Sequence, residues 1–282
     1  MDLDGRVALI TGASRGVGAA TARALAEAGC HVACAARSTQ ASPGRVEGTL
    51  DETVAAVEAT GRRALAVPVN LTDDDAVAAM VTRVHEEFGR VDILVNNAGV
   101  VDFSDLDVDL RRFDKTMGVN LRAPLIATRE VQPIMSEQRS GAILNISSLA
   151  AILPQPGSLS YGIAKAGVER LTMEAARVLA PAGVSVNCLR IDVAVASEGF
   201  TANTPDIDHS GWEHPDTVAA VLRWMLEQPE DYTSRIESLW EIRSRLGLGS
   251  PPEGGWPLPA PPTHLVPGVA EGDRASTAAW SD

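Results

Sequence analysis

Arg6-Val-Ala-Leu-Ile-Thr11-Gly12-Ala-Ser14-Arg15-Gly16-Val17-Gly18 is the stretch on which the reading of this chain turns. Arg6 to Thr11 is a short apolar run of the kind that forms a parallel strand buried on both faces. The glycines that follow let the backbone turn tightly and approach a ligand closely. An alanine-rich helix then runs to about Ala28, with Gly29 as its stop, and His31 to Ala36 reads as the next strand. Strand, glycine turn, helix and strand make a right-handed βαβ unit. The helix start presents free N–H groups and the positive end of its dipole, which suits a pyrophosphate. A glycine turn with no ligand is the plainer alternative, and the strand before and helix after it disfavour that reading.

The same alternation continues outward. Helices are expected over 53–61, 72–88, 105–117, 121–138, 161–180 and 214–227, and strands over 63–70, 91–95, 141–148, 184–190 and 234–241. Thr72 with Asp75 resembles a capping box, and Gly89 ends that helix. Residues 39–50 read as an inserted loop. The pattern predicts an α/β fold: a doubly wound, Rossmann-like parallel sheet in three α/β/α layers, as a single domain over 1–246. From 247 to 282 the composition shifts to seven prolines and six glycines without periodicity. Such a segment cannot bury enough surface to offset its ordering entropy, so a flexible tail is expected.

Composition narrows the function. The formal net charge of −13 disfavours non-specific nucleic-acid binding. No apolar run approaches membrane-spanning length, and the acidic start, Met1 to Gly5, does not resemble a signal peptide. Cys30, Cys34 and Cys188 fall at expected strands, which suits core packing and a reducing, cytoplasmic setting. The five histidines are scattered, and no metal site is read.

Ser148 to Lys165 holds the residues with the most chemistry. Tyr161 and Lys165 stand four apart at the start of an expected helix, on one face. An ammonium beside a phenol favours phenolate. A fall of about three units from tyrosine's ordinary pKa corresponds to roughly 4 kcal/mol. Alone, this pair is an ordinary surface feature of many helices.

The Gly-x-x-x-Gly-x-Gly turn after Thr11, Asn96-Asn97-Ala98-Gly99, Asn120, Ser148, Tyr161 and Lys165 together resemble the short-chain dehydrogenase/reductase family. The resemblance is strong over about 4–190 and loose over 191–245. Ser148, 13 residues before Tyr161, matches the family spacing better than Ser147. The resemblance implies a catalytic tetrad of Asn120, Ser148, Tyr161 and Lys165. Tyr161 would act as general acid/base and Ser148 would hold the substrate oxygen. Lys165 would lower the Tyr161 pKa and bind the nicotinamide ribose, and Asn120 would support a proton-relaying water. Cofactor contacts are implied at Gly12, Ser14, Arg15, Gly16, Val17, Gly18, Arg37, Asn70, Leu71, Asn97, Ala98, Gly99, Tyr161, Lys165 and Val193.

The end of the second strand has Ala36 where an acidic residue would bind an adenosine ribose, and Arg37 follows. Two guanidiniums, Arg15 and Arg37, with no carboxylate favour NADP(H) over NAD(H). Ile191 and Asp192 replace the Pro-Gly that the family usually carries, and Ala196 stands near its usual Thr. Residues 191–215, with Phe200 and Trp212, are expected to form a substrate loop. The implied activity is hydride exchange between nicotinamide and a small-molecule carbonyl or secondary alcohol. A catalytically silent NADP(H)-binding sensor or scaffold is the alternative, with a lyase or epimerase on the same fold behind it. The resemblance also implies a homodimer or homotetramer through the helices containing Asn120 and Tyr161.

Overall fold

The computed structural model describes residues 1–248, so most of the proline- and glycine-rich segment expected over 247–282 lies outside the described residues. The strands are β1 (Val7–Thr11), β2 (His31–Ala36), β3 (Ala64–Pro68), β4 (Ile93–Asn96), β5 (Gly141–Ser148), β6 (Val184–Ile191) and β7 (Ile236–Ser238). They form one parallel sheet in the order β3-β2-β1-β4-β5-β6-β7. Connections leave β1 in one direction as far as β3 and in the other from β4 onward. The crevice between the C-terminal ends of β1 and β4 is therefore the switch point, where such sheets bind ligands.

The helices are α1 (Gly16–Glu27), α2 (Leu50–Glu58), α3 (Asp74–Phe88), α4 (Leu110–Met117), α5 (Ala123–Gln138), α6 (Leu159–Leu179), α7 (Glu198–Thr201), α8 (Pro215–Leu226) and α9 (Leu239–Leu246). Alternate strand residues feed two cores. Ala8, Ile10, Ile93 and Val95 pack with α1, α2, α8 and α9. Val7, Leu9 and Leu94 pack with α3, α5 and α6. Cys30, Cys34 and Cys188 are free and buried, and burial pushes each thiol up to about 12.

Asp92 ties the sheet together at its N-terminal edge. Its side chain is fully buried and accepts from Arg90 (2.6 and 2.7 Å), Arg6 (2.9 Å) and the Val7 N–H (2.9 Å). Burial alone would raise its pKa, but these donors outweigh it and hold the carboxyl below its ordinary value. The resulting stabilisation is present above the unfolded pKa of about 3.9 and is lost as pH falls through the lower folded value. Asp92→Asn takes the charge out of the bonds from Arg6 and Arg90, and with charge-assisted bonds contributing about 1.5–3 kcal/mol each it is expected to cost about 3 kcal/mol. The thermal midpoint at neutral pH should fall by roughly 10 °C, and a midpoint within experimental error of the parent would rule out this role.

Five sequence expectations change. The helix α4 starts at Leu110 rather than 105, because Asp109 caps it by accepting from the Arg111 and Arg112 N–H groups. The second helix starts at Leu50 rather than 53, because Thr49 and Glu52 form a reciprocal capping box. Asp73, not Thr72, caps α3 by accepting from the Ala76 N–H. The helices expected on either side of Asn120 join through one π-helical turn, Gly118–Arg122. The last strand stops at Ser238, which accepts from the Glu241 N–H and starts α9. Ser238-Leu-Trp-Glu241 is itself a capping signature, and Leu239 and Ile242 recur at helical spacing into the core.

Candidate active site

The glycine turn packs as closely as its spacing implies. Gly12 and Gly16 have positive φ, and a Cβ on Gly18 would lie 2.3 Å from the Gly12 carbonyl oxygen. This contact seats α1 directly at the end of β1. No side chain caps α1, and its first turn carries no acidic residue. Its free N–H groups and positive dipole end thus remain available to an anion. Ser14 and Val17 are buried within the turn. Asn97 fastens the next strand end to it, its Nδ2 donating to the Thr11 oxygen at 2.9 Å. The N–H groups of Asn97 and Ala98 donate to Thr11 Oγ1.

Arg15 reaches across to the 39–48 segment, donating to Ser38 Oγ (2.9 Å) and the Gly48 oxygen (3.0 Å). Its buried Nε has no hydrogen-bond partner. Arg37 follows β2 and is exposed. Asn70 is exposed, and its carbonyl oxygen accepts from the Thr72 N–H and Oγ1. Leu71 is buried beside it.

Asn120, Ser148, Tyr161 and Lys165 come together from three elements. The π-helical turn carries Asn120, whose amide donates to the Val100 oxygen (2.7 Å) and accepts from its N–H (2.8 Å). That exchange sets the chain after Asn96-Asn97-Ala98-Gly99. A Cβ on Gly99 would stand 3.6 Å from Asn120 Oδ1 and 3.8 Å from Lys165 Nζ. Ser148 ends β5, and Tyr161 is the third residue of α6. The start of α6 is pressed against the turn after Ser148, since a Cβ on Gly162 would lie 2.8 Å from the Ala150 oxygen. The Ser148 hydroxyl stands close enough to Tyr161 to oppose the rise of its phenol pKa. The neighbouring Ser147 turns the other way and donates to Glu169 at 2.8 Å.

Lys165 is buried, donates to the Ile146 oxygen at 2.7 Å, and lies 5.5 Å from the Tyr161 ring centre. Burial pushes its ammonium down to about 8. Burial also raises the Tyr161 phenol, against the opposing effect of the Ser148 hydroxyl. The expected lowering of Tyr161 by Lys165 is therefore absent here. The ammonium is drawn to a backbone carbonyl, and desolvation dominates the phenol.

Sequence reading missed the supports beneath this group. Glu169 receives a bidentate Arg190 guanidinium at 2.8 and 2.7 Å. Asn96, Asn145 and Thr172 form a buried chain of hydrogen bonds. Glu169 sits one turn beyond Lys165, so its place on the same helix face was the available signal. Asp192, standing where glycine was expected, accepts from Ser238 Oγ and from the Trp240 N–H (3.0 Å). Val193 follows, half-buried against the α1 and α8 core.

The short chain dehydrogenase family profile matches residues 6–198 and stops at the start of the 196–212 loop. The 3-oxoacyl-[acyl-carrier-protein] reductase of Synechocystis sp. is 35% identical over 233 residues, covering 80% of this chain and 91% of that one. The cis-4-hydroxycyclohexanecarboxylate dehydrogenase of Sinomonas cyclohexanicum is 39% identical over 188 residues, covering 65% and 71%. A metagenomic short-chain oxidoreductase solved in complex with NADP superposes with a TM-score of 0.70 at 31% identity, covering 84% and 97%. The chain belongs to the short-chain dehydrogenase/reductase family, and it is an oxidoreductase of that family's single-domain type. Among the described residues no helix is long and apolar enough to cross a membrane, and no cluster of side chains is arranged to hold a metal ion.

Proposed function

We propose that this protein transfers a hydride between NADP(H) and a small-molecule ketone or secondary alcohol, with Tyr161 as the general acid/base. The observation that carries this reading is the buried Lys165 ammonium 5.5 Å from the Tyr161 ring, with Asn120 Oδ1 beside it at Gly99 and Ser148 next to the phenol. The residues present fit a dinucleotide: the start of α1 is uncapped, and the buried Arg15 Nε has no partner. Gly12, Ser14, Gly16, Val17 and Gly18 would hold the pyrophosphate. Leu71, Asn97, Ala98, Gly99 and Val193 would line the rest of the site. Arg15 and Arg37 would hold the 2′-phosphate, which is the basis for preferring NADP(H) over NAD(H). Asn70 could contact the adenine only by releasing Thr72.

The bound nicotinamide supplies or accepts the hydride. In reduction Tyr161 gives its proton to the substrate oxygen, and in oxidation it takes that proton. Ser148 donates to the same oxygen and orients it. A phenol whose pKa is not lowered is protonated at neutral pH, so Tyr161 can serve as the proton donor in reduction. Lys165 would supply positive charge beside the reacting oxygen and, on releasing Ile146, would hold the cofactor ribose. Asn120 keeps the Val100 turn in place and would support a water between Lys165 and solvent.

The test is a panel of ketones and secondary alcohols followed by nicotinamide absorbance with each cofactor. Turnover with NADPH on at least one member is expected. Tight NADPH binding without turnover across the panel would favour the silent sensor instead. The kcat/KM for reduction should fall as pH rises past about 8, where Lys165 loses its charge. A profile flat well beyond that pH would remove Lys165 from this role.

Leu125 on α5 and Ile163 and Val178 on α6 are about half exposed. We assign these faces to a homodimer or homotetramer contact, which light scattering on the purified protein would test. The buried free thiols support a reducing, cytoplasmic setting.

A further inference from the structure

Asp192, Glu213 and Arg243 have no part in the chemistry described above, yet all three converge on the loop from Ala196 to Trp212. The register of the sheet places this loop. Ser148 pairs with Ile191 across β5 and β6, so the chain that leaves at Asp192 starts directly beside Ser148. It then passes the glycine turn, where a Cβ on Gly16 would come within 3.0 Å of Ser197 Cβ. Phe200 and Trp212 pack at a tilt within the loop, 5.1 Å between ring centres, and His209 meets Trp212 edge-on at 4.4 Å.

The two ends of the loop are tied to each other and to α9. Val195 pairs with Glu213: the Glu213 N–H donates to the Ala194 oxygen and the Ala196 N–H to the Glu213 oxygen, both at 2.8 Å. The outgoing end is held at Asp192, which accepts from Ser238 Oγ and the Trp240 N–H at the start of α9. The returning end is held at Glu213, whose carboxylate meets Arg243 of α9 at 2.9 Å and Thr217 Oγ1 at 2.9 Å. The Glu213 and Arg243 side chains are 4% and 5% exposed. Leu239 and Ile242 anchor α9 itself in the core.

A buried ion pair adds little stability compared with an apolar pair of similar size. It is directional, however, and salt does not readily screen it. Loops of this length otherwise sample open conformations well before the core unfolds. We infer that Asp192, Glu213 and Arg243 are positioning residues, forming a latch by which α9 holds the 196–212 loop over the active site and sets the affinity for the carbonyl substrate. What the loop covers rests on the oxidoreductase reading above; that the latch restrains the loop does not.

The experiment uses the full chain and three variants. Chymotrypsin cleavage after Phe200 and Trp212, followed by mass spectrometry, reports loop opening. Steady-state kinetics separate kcat from the carbonyl KM, nicotinamide fluorescence gives NADPH affinity, and thermal melting reports the fold. The paired variant Glu213→Gln/Arg243→Met removes both charges and leaves neither orphaned. It should melt near the parent temperature, be cleaved about tenfold faster in the loop, and show a carbonyl KM raised about tenfold. Its kcat and NADPH affinity should stay within about twofold. Arg243→Lys, which keeps the charge, should recover most of the protection. A folded paired variant with parental cleavage and KM overturns the latch. Asp192→Ala loosens the same helix without touching the buried pair, and it decides the matter by the same readouts if the paired variant does not fold. If the parent protein reduces no carbonyl, the oxidoreductase reading fails, and the cleavage rates alone still decide the latch.

Discussion

Tyr161→Phe should lower kcat/KM for carbonyl reduction by about a thousandfold, while NADPH binding stays within about twofold of the parent. The ring is retained, so its half-buried packing at the start of α6 is undisturbed. What is lost is the phenol hydroxyl beside Ser148 that would exchange a proton with the substrate oxygen. General acid–base catalysis contributes between about a hundred- and ten-thousandfold, so a middle value is the reasonable expectation. Single-turnover measurement with pre-bound NADPH separates this loss from any change in binding. A variant within tenfold of the parent would remove Tyr161 from the reaction. It would leave Ser148 and Lys165 without the partner that gives their placement chemical meaning.

The second large effect is at the other end of the nucleotide. Arg37→Ala should weaken NADPH binding by roughly ten- to a hundredfold, with NADH changed by less than about twofold. A hydrogen bond to a charged partner contributes about 1.5–3 kcal/mol, and each 1.4 kcal/mol is tenfold in affinity. Arg37 is exposed, which argues for the lower part of that range. The loss should shrink at high salt, where solvent-facing charge is screened. Equal losses for the two dinucleotides would reject a 2′-phosphate contact. Arg15 would then carry the discrimination alone, from its position between Ser38 and Gly48.

Much of the fold was legible because its signals are local. The apolar run at Arg6 to Thr11 followed by Gly12, Gly16 and Gly18 permits few conformations other than strand, turn and helix, and the observed β1 and α1 follow it closely. Alternating strand and helix patterns then imply a parallel sheet, since each helix returns the chain to the same end of the sheet. The misread boundaries were local too. Thr49–Glu52 ends a loop-like insertion and Ser238–Glu241 a β-prone run, and in each a side-chain cap starts a helix. The helix spacing of Tyr161 and Lys165 was equally plain, whereas the direction of the Tyr161 shift was not. Spacing places the ammonium near the phenol, but burial and the Ile146 carbonyl decide what each group feels.

By itself, the sequence determined the βαβ start, the α/β architecture, the family resemblance, and the residues that meet at Ser148 and Tyr161. These follow from periodicity and from steric rules that act over a few residues at a time. Tertiary structure alone decided which charges pair. Asp192 finds the start of α9, Glu213 finds Arg243, and Glu169 finds Arg190. Each partner lies some twenty to fifty residues away in the chain. Any of several carboxylates could have met any of several guanidiniums. The choice is made only when the sheet register brings β6, the returning loop and α9 to one edge, where burial makes a charge without a partner too costly to keep.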